Sequence, residues 1–487
     1  MVNNWQRRLR NVRREARDVP WQTVLPRIGL AVGVLVAVSA AFVGAAGRPD
    51  SRLQKGQPAV SPVAAPNPQL TRLETQVQRN PSSSRVRSEL GNAYLKQSEV
   101  AGALGQFSQA LQLDEQKDLK GKDAPGESAL GLAQIATQVR DRDGALVFAE
   151  RAARRKPNDP DAWTALGIAY AMNRRNADAT RIFEQSLKQF PRHQKLKLAA
   201  AAHFGRLRQW ARAESLARAA VALPPPDGAA DGLLAALFLE QGRIQDGEAQ
   251  LVKLSRDRPN DPNPVFALGK VRLGQRDLTG AREAFQQVER MQPGEPVPHV
   301  YTAITHMLDS NLDGAEASYR KALAVDTNSA SAQLGIATIR HLQGRKPEAI
   351  ESYERLAQSQ PSLSPALNNL AYLYAEEGKN LERAQQLAER AVAVSPRTGS
   401  LHDTLGWVLY RRGEHAAAVA ELQQASRLAP QNGTIQFHLG KALLAAGKQA
   451  AGEAALRKAL TLNLGYREKE EAERILGGAA AAPNQTE

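Results

Sequence analysis

The sequence predicts an all-α fold, a solenoid of stacked helical hairpins. The main observation is a 34-residue period that recurs ten times between residues 126 and 466. Each cycle contains two apolar runs at helical spacing, separated by a short polar break and closed in most cycles by a proline. The chain is also rich in alanine and has little of the alternating apolar and polar pattern that half-buried strands require.

The unit at residues 160–193 shows the residues that mark each cycle. Position 8, here Gly167, must be small because a second helix crosses close to the backbone there. Position 20, here Ala179, is the facing contact on the second helix. Pro191 at position 32 cannot continue a helix and therefore ends the hairpin. The marking residues of this unit are Trp163, Leu166, Gly167, Tyr170, Ala179, Phe183, Ser186 and Pro191.

These positions and residue types resemble the tetratricopeptide repeat. Because one hairpin cannot bury its apolar face, the hairpins must stack, and the resemblance implies a right-handed superhelix with a concave inner surface. We expect a first repeat at 84–117, ten contiguous repeats at 126–466, a capping helix at 467–478 and a disordered tail at 479–487. The charged stretch 115–125 lacks an apolar period and is predicted to be a loop or a hinge.

The N-terminal region predicts a single membrane span. Residues 28–46 contain no charge and are close to the roughly 20 residues that cross a bilayer as a helix. Seven arginines and two acids lie in residues 1–27, and this bias predicts a cytoplasmic basic tail with the repeats on the periplasmic side of the inner membrane. A proline-rich linker at 47–70 would follow. The alternative is a signal peptide cleaved after the small residues near its end.

A stripe of small residues runs along one face of the predicted span. It consists of Gly29, Gly33, Ala37 and Ala41 at four-residue spacing. Such a stripe allows two helices to approach closely and predicts a homodimer. The alternative is that an alanine-rich segment produces this spacing by chance.

The sequence gives no support for catalysis, and we predict that the protein is not an enzyme. It lacks a phosphate-binding glycine loop, a nucleophile elbow and an H-E-x-x-H helix, and it contains no cysteine. His299 and His306 share one helix, but both occupy structural positions of the repeat, so we predict no metal site and no cofactor. The net charge of +14 comes without interleaved stacking aromatics, so we predict no nucleic-acid partner.

A protein-binding groove is predicted on the first helices of the C-terminal repeats. Positions 5, 9 and 12 lie on one helical face, and in tetratricopeptide proteins that face lines the groove. Tyrosine, tryptophan and arginine are common interface anchors, although these aromatic side chains would alternatively pack against the neighbouring helix. The predicted groove residues are Asn368, Tyr372, Asp403, Trp407, Tyr410 and Arg411. No lysine occurs at position 5, which argues against a receptor for acidic chaperone tails.

A narrower resemblance covers residues 364–478. The sequences Asn368-Asn369-Leu370-Ala371-Tyr372 and Asp403-Thr404-Leu405-Gly406-Trp407 are similar to the closing repeats of bacterial tetratricopeptide proteins tied to exopolysaccharide export and PEP-CTERM sorting. The resemblance implies a cell-envelope scaffold for an exopolysaccharide, pilus or secretion machine. Two alternatives remain: a periplasmic assembly chaperone for extended client polypeptides, as in cytochrome maturation, and an accessory subunit that binds an acidic polysaccharide.

Overall fold

The structure, a computed structural model, describes residues 68–118, 126–224, 228–462 and 464–480. These residues form 24 α-helices and no strand, which confirms the predicted all-α fold of stacked tetratricopeptide hairpins. The predicted basic tail 1–27, the span 28–46 with its small-residue stripe, and most of the linker 47–70 lie outside the described residues. Within the described part of the chain, no helix is both long and apolar enough to cross a membrane.

The described residues divide into two compact units, which we call the N-terminal unit (residues 68–277) and the C-terminal unit (residues 278–480). In each unit, consecutive helices pack against one another in chain order. The N-terminal unit contains α1 (Pro68–Arg79), α2 (Ser84–Lys96), α3 (Val100–Asp118), α4 (Glu127–Gln138), α5 (Arg142–Arg155), α6 (Pro160–Met172), α7 (Asn176–Gln189), α8 (Gln194–Arg206), α9 (Trp210–Val221), α10 (Ala229–Glu240), α11 (Ile244–Asp257) and α12 (Pro262–Gly274).

The C-terminal unit follows the same alternation of first and second helices. It contains α13 (Leu278–Met291), α14 (Pro296–Leu308), α15 (Leu312–Val325), α16 (Ala330–Leu342), α17 (Lys346–Ser359), α18 (Ser364–Glu377), α19 (Leu381–Val394), α20 (Gly399–Arg411), α21 (His415–Leu428), α22 (Gly433–Ala445), α23 (Gln449–Leu460) and α24 (Tyr466–Ala480).

The small residue at position 8 has the packing role that the sequence predicts. A Cβ atom added to Gly440 on α22 would lie 2.7 Å from Cδ2 of Leu456 on α23, which is closer than real Cβ contacts come. On the second helices, the position 20 alanines Ala179, Ala315 and Ala418 are fully buried. The two helices of a hairpin therefore approach to near backbone contact, as ridges and grooves of small side chains allow.

Position 15, in the turn between the two helices of a hairpin, has positive φ throughout the described repeats. Glycine adopts this left-handed conformation without steric cost, whereas in other residues the Cβ atom comes too close to the following carbonyl oxygen. The C-terminal unit mostly uses glycine there, and the N-terminal unit mostly uses arginine. The residues are Ser98, Arg140, Arg174, Arg208, Gly242, Arg276, Ser310, Gly344, Gly378, Gly413 and Gly447.

Tyrosines at position 11 bind the hairpin before their own. The hydroxyl of Tyr170 on α6 donates a hydrogen bond of 3.0 Å to Glu150 on α5. Tyr94 binds Glu74 in the same way, and Tyr374 binds Glu354. These bonds, each across 20 residues, fix neighbouring hairpins in one register.

Three boundaries differ from the prediction. Helix α1 begins at Pro68 inside the predicted linker, because proline is well suited to the first turn of a helix. Helix α3 continues to Asp118, so residues 115–118 are helical rather than loop; Glu115 there accepts a hydrogen bond from Arg151 at 2.8 Å. Helix α24 covers residues 466–480 and so extends two residues into the predicted disordered tail, because alanine favours the helical state.

Helix α24 covers the end of the last hairpin. Ala472 is fully buried in a cluster with Phe437, Leu456 and Ala459, against which Ile475 and Leu476 pack. Charged side chains, among them Glu470, Glu473 and Arg474, lie on its exposed surface. The helix therefore replaces an apolar end face with a polar one.

Candidate functional site

The predicted groove residues lie on the first helices α18 and α20 of the C-terminal unit, and α22 continues the same row. Helix α18 packs against α20, and α20 packs against α22, so their position 5, 9 and 12 side chains are neighbours. We call this surface the first-helix face. On α22 the equivalent residues are Phe437, Lys441 and Leu444, which the prediction did not include.

Trp407 is buried in this face and leaves only 6% of its surface exposed. Its Nε1 donates a hydrogen bond of 3.1 Å to Oε1 of Glu376 on α18. The indole stacks with Tyr410 at a centroid distance of 5.0 Å and with His438 at 4.3 Å. Trp407 therefore joins three consecutive repeats by packing, and the accessible surface of the site comes from its neighbours.

Asp403 and His438 form an ion pair beneath that stack. Nδ1 of His438 lies 2.9 Å from Oδ1 of Asp403, and the histidine is 3% exposed. Burial lowers the pKa of His438, but the Asp403 carboxylate, with Glu468 on α24, outweighs burial and holds this pKa above its ordinary value. Lys441 acts weakly in the other direction. The charged imidazolium is thus the form that this pocket favours.

Lys441 occupies the centre of the aromatic cluster. Its Nζ lies 5.1 Å from the ring centroid of Trp407 and 5.5 Å from those of Tyr410 and Phe437, within cation–π range. The same ammonium group donates a 2.7 Å hydrogen bond to Glu471 of α24. The terminal helix therefore supplies an acid to the C-terminal end of the first-helix face.

Tyr372 and Asn368 form the α18 part of the face and are both half-buried. Burial raises the pKa of Tyr372, and the carboxylates of Glu376, Glu468 and Asp403 raise it further. Oδ1 of Asn368 is buried and has no hydrogen-bond partner among the described residues. Its Nδ2 makes one long contact, 3.5 Å to Asn369. The first-helix face therefore contains one buried hydrogen-bond acceptor, Oδ1 of Asn368, that is unsatisfied among the described residues.

Arg411 is half-buried at the end of α20, where its Nη1 donates to the backbone carbonyl of Glu376 at 3.4 Å. Arg411 directly follows Tyr410, whose ring stacks on Trp407. The first-helix face thus combines aromatic rings, amide and carboxylate acceptors and two cations. This mixture suits a polypeptide, which offers backbone donors and acceptors together with apolar side chains.

The structure assembles all six predicted residues on one surface, together with four residues that the prediction missed. The missed residues are Glu376, His438, Lys441 and Glu471. Lys441 could have been predicted, because it occupies position 9 of the next repeat. His438 at position 6 and Glu376 at position 13 lie outside the positions 5, 9 and 12 that predict groove residues. Among the described residues, no group of three or more histidines and carboxylates is placed to hold a metal ion.

Comparison with known families identifies the repeats. The family model described as tetratricopeptide repeat matches residues 130–193, 368–432 and 404–463, and the model described as protein kinase G tetratricopeptide repeat matches residues 227–371. The predicted resemblance to tetratricopeptide repeats is therefore confirmed, and the first-helix face lies within the matched residues.

Two curated relatives are both named cellulose synthase operon protein C. The protein from Xanthomonas axonopodis pv. citri (strain 306) is 33% identical over 25% of this chain and 8% of its own length. The protein from Pseudomonas fluorescens (strain SBW25) is 26% identical over 42% of this chain and 17% of its own length. This chain thus matches less than a fifth of either relative.

One solved structure with a similar arrangement is the crystal structure of the APC/C hetero-tetramer Cut9–Hcn1. It has a TM-score of 0.45 and 12% sequence identity, and the match covers 84% of this chain and 92% of that chain.

Proposed function

We propose that this tetratricopeptide-repeat protein is a non-enzymatic, membrane-anchored scaffold for an exopolysaccharide assembly machine of the bacterial envelope. The observation that carries the proposal is the sequence similarity to two proteins named cellulose synthase operon protein C. It agrees with the exopolysaccharide part of the resemblance at residues 364–478. The PEP-CTERM part, and a role in a pilus or secretion machine, remain predictions.

The proposed partner is an extended polypeptide segment that lies along the first-helix face. Rotation of the half-buried Asn368 side chain would bring its buried Oδ1 to a backbone N–H of that segment, which removes the cost of an unpaired buried acceptor. Tyr372 and Tyr410 would contact its side chains, and Arg411 would pair with an acid. Trp407 would act indirectly, because its ring is already enclosed by Tyr410, His438 and Lys441.

The membrane part of the proposal rests on the sequence alone. Residues 28–46 would form a single span in the inner membrane, with the arginine-rich residues 1–27 in the cytoplasm and the repeats in the periplasm. A homodimer through Gly29, Gly33, Ala37 and Ala41 is a further proposal about the same segment.

Site-specific photocrosslinking in cells tests the scaffold proposal. A photoreactive residue in place of Tyr410 should capture one defined protein of the polysaccharide machine, because this ring is half-exposed at the centre of the face. The matched control replaces Val394, which is 41% exposed on the second helix α19. That position should capture little.

The double variant Asn368→Ala and Tyr410→Ala should reduce recovery of the captured partner at least about tenfold, as loss of interface anchors does. Stable co-purification of the complex supports a scaffold. Capture of unfolded client chains alone would instead assign the protein to the assembly chaperones. Unchanged recovery in the double variant would show that the partner binds elsewhere.

A further inference from the structure

The two units differ in net charge. Residues 68–277 contain 32 basic and 24 acidic residues and carry a net charge of +8, whereas residues 278–480 contain 22 basic and 22 acidic residues and carry no net charge. The excess positive charge of the repeats therefore lies in the N-terminal unit, which is the unit nearer in sequence to the predicted membrane span.

Part of this difference is concentrated at position 15, the turn inside each hairpin. Arg140, Arg174, Arg208 and Arg276 occupy it in the N-terminal unit with φ of 57°, 59°, 58° and 63°. We call these four residues the tip row. In the C-terminal unit four of the five equivalent residues are glycine. Arginine is disfavoured at positive φ, so each residue of the tip row is held in a strained backbone conformation that glycine would adopt without cost.

The side chains of the tip row are exposed and form no ion pair among the described residues. Nearby carboxylates are already used by other arginines. Asp178 pairs with Arg175 and Arg181 at 2.7 and 2.9 Å. Glu214 pairs with Arg218 and Arg243 at 2.7 and 3.0 Å. The tip row thus presents four exposed guanidinium groups that form no ion pair within the described part of the chain, although Asp141 and Asp277 directly follow Arg140 and Arg276 in the sequence.

Stacking of the hairpins arranges the first three of these groups, those of Arg140, Arg174 and Arg208, in a line. The first helices α4, α6 and α8 pack against one another in sequence, and packed helix axes are about 8–10 Å apart. Successive turns of the N-terminal unit therefore follow one another at roughly 10 Å along one edge. Arg140, Arg174 and Arg208 occupy three successive turns, and Gly242 separates them from Arg276. Guanidinium groups that share one edge in this way match an extended anionic surface, because each can bind a phosphate oxygen pair.

We propose that the tip row binds anionic phospholipid head groups of the membrane in which the chain is anchored. This inference rests on the proposed membrane attachment. The 21 residues between the predicted span and Pro68 reach at most about 75 Å when fully extended, so the start of the N-terminal unit stays within that distance of the bilayer. Basic side chains are attracted to an anionic bilayer within about one Debye length of its surface. The C-terminal unit, whose basic and acidic residues balance, has no such row, which fits its greater distance from the tether along the chain.

Energy transfer in reconstituted vesicles tests this inference. The full chain has no cysteine, so Gln209→Cys, an exposed position beside Arg208, provides a single site for a donor dye. The acceptor is a lipid labelled on its head group. Vesicles contain phosphatidylcholine alone or with phosphatidylglycerol. We expect transfer to be at least about twofold higher with phosphatidylglycerol and to fall when salt is raised.

The test variant carries Arg140→Gly, Arg174→Gly, Arg208→Gly and Arg276→Gly. It should fold, because glycine is the residue that the C-terminal unit uses at this position, and it should lose the effect of phosphatidylglycerol. The matched control removes the same charge from exposed positions of the N-terminal unit outside these turns. It carries Arg154→Gln, Lys188→Gln, Arg192→Gln and Lys195→Gln, and it should retain the effect.

Transfer that is independent of phosphatidylglycerol, or equal in the test variant and the wild type, would overturn the inference. An alginate column provides a second test. If it retains the wild type but not the test variant, and energy transfer does not depend on phosphatidylglycerol, the ligand of the tip row is an acidic polysaccharide instead. Failure to float with phosphatidylcholine vesicles would count against the predicted span. If the wild-type chain then floated only with vesicles that contain phosphatidylglycerol, and the test variant did not float with them, the result would still support lipid binding by the tip row.

Discussion

Gly167 on α6 lies directly under the ring of Phe183 on α7, so closely that a Cβ atom on the glycine would be 2.5 Å from Cε1 of the phenylalanine. Phe183 is fully buried and cannot move aside without disturbing its own neighbours. This contact sets the distance between the two helices of the hairpin. It is the most direct physical reason for a small residue at position 8.

Gly167→Ala should therefore lower the free energy of unfolding of the N-terminal unit by about 1–3 kcal/mol, the usual cost of overpacking a core. The measurement is the shift in urea midpoint together with amide hydrogen exchange in α6 and α7. Gly105→Ala on α3 is the matched control, because its Cβ would meet nothing within 4 Å. That substitution should stabilise by about 0.5–1 kcal/mol. Equal effects of the two changes would contradict the packing explanation.

Lys270 on α12 should reduce the stability of the N-terminal unit at neutral pH. The side chain is 6% exposed, its Nζ lies 5.7 Å from the ring centroid of Phe266, and burial lowers its pKa to about 8. The unfolded chain binds this proton more tightly, so stability should rise as pH increases from about 8 to 10.5. Lys270→Met should remove that rise and stabilise the unit at pH 7 by at least about 1 kcal/mol.

The control for Lys270 is Lys253→Met, whose side chain is 57% exposed beside Asp231. It should change stability by less than about 0.5 kcal/mol. Urea unfolding at pH 7 and pH 10 distinguishes the two lysines, and a Lys270→Met variant less stable than the wild type at pH 7 would refute the prediction.

His203 should make the N-terminal unit sensitive to acid. The ring is 1% exposed, lies 5.4 Å from the Phe183 ring centroid, and has Nε2 2.9 Å from Oγ1 of Thr180. Burial, with Arg206 and Arg212, lowers its pKa to about 4. The unfolded chain therefore takes up a proton that the folded chain refuses, and stability should fall as pH decreases from about 6.5 to 4.

His203→Phe should remove most of this decline, since it keeps an aromatic ring without a titrating nitrogen. Hydrogen exchange of α7 and α8 at pH 4.5 and pH 7 measures the effect. Identical pH dependence in the variant and the wild type would show that other groups cause the acid loss.

The C-terminal unit should respond in the opposite direction through His438. Its pKa is raised because Asp403 outweighs the effect of burial, so the charged pair contributes its full stability below about pH 6.5. That contribution is lost as pH rises through the raised pKa. Asp403→Asn should abolish this dependence and destabilise the unit by about 3 kcal/mol at pH 5, where it leaves a buried imidazolium without its partner.

Exchange of the α20 and α22 amides at pH 5 and pH 8 tests the pair. The comparison variant is Asp313→Asn on α15, which removes an exposed carboxylate that forms no ion pair with any residue that the structure describes. It should leave the pH dependence of α20 and α22 intact. A wild-type unit that becomes more stable between pH 6 and 8 in these helices would exclude the proposed role of His438.

The hairpins were predictable because their signal repeats. Gly167, Ala179 and Pro191 recur in register, and each has a steric reason that operates inside one unit. Helix α1, the first helix of the described residues, was missed because it carries leucine and valine without those marks. The site was predictable only in part for a related reason: Trp407 meets Glu376 and His438 from two other repeats, 31 residues before and after it, and a partner on another repeat leaves no local pattern.

Arginine at position 15 is a clearer case. Nothing about Arg140 or Arg174 in the sequence indicates positive φ, because arginine normally avoids it. Only alignment of the repeats, which brings these residues into the column occupied by glycine in other units, shows that the turn dictates the conformation.

Helix α24 also bears on how copies of this protein can associate. A stack of similar hairpins has no intrinsic length, and an uncovered apolar end would be a template on which the first hairpin of another copy could continue the stack, giving head-to-tail filaments. With Ala472 buried against Phe437 and Leu456, and with charged residues outside, that template is closed. Helix α24, which completes the core of the last hairpin, thus also prevents head-to-tail polymerisation through this end of the stack.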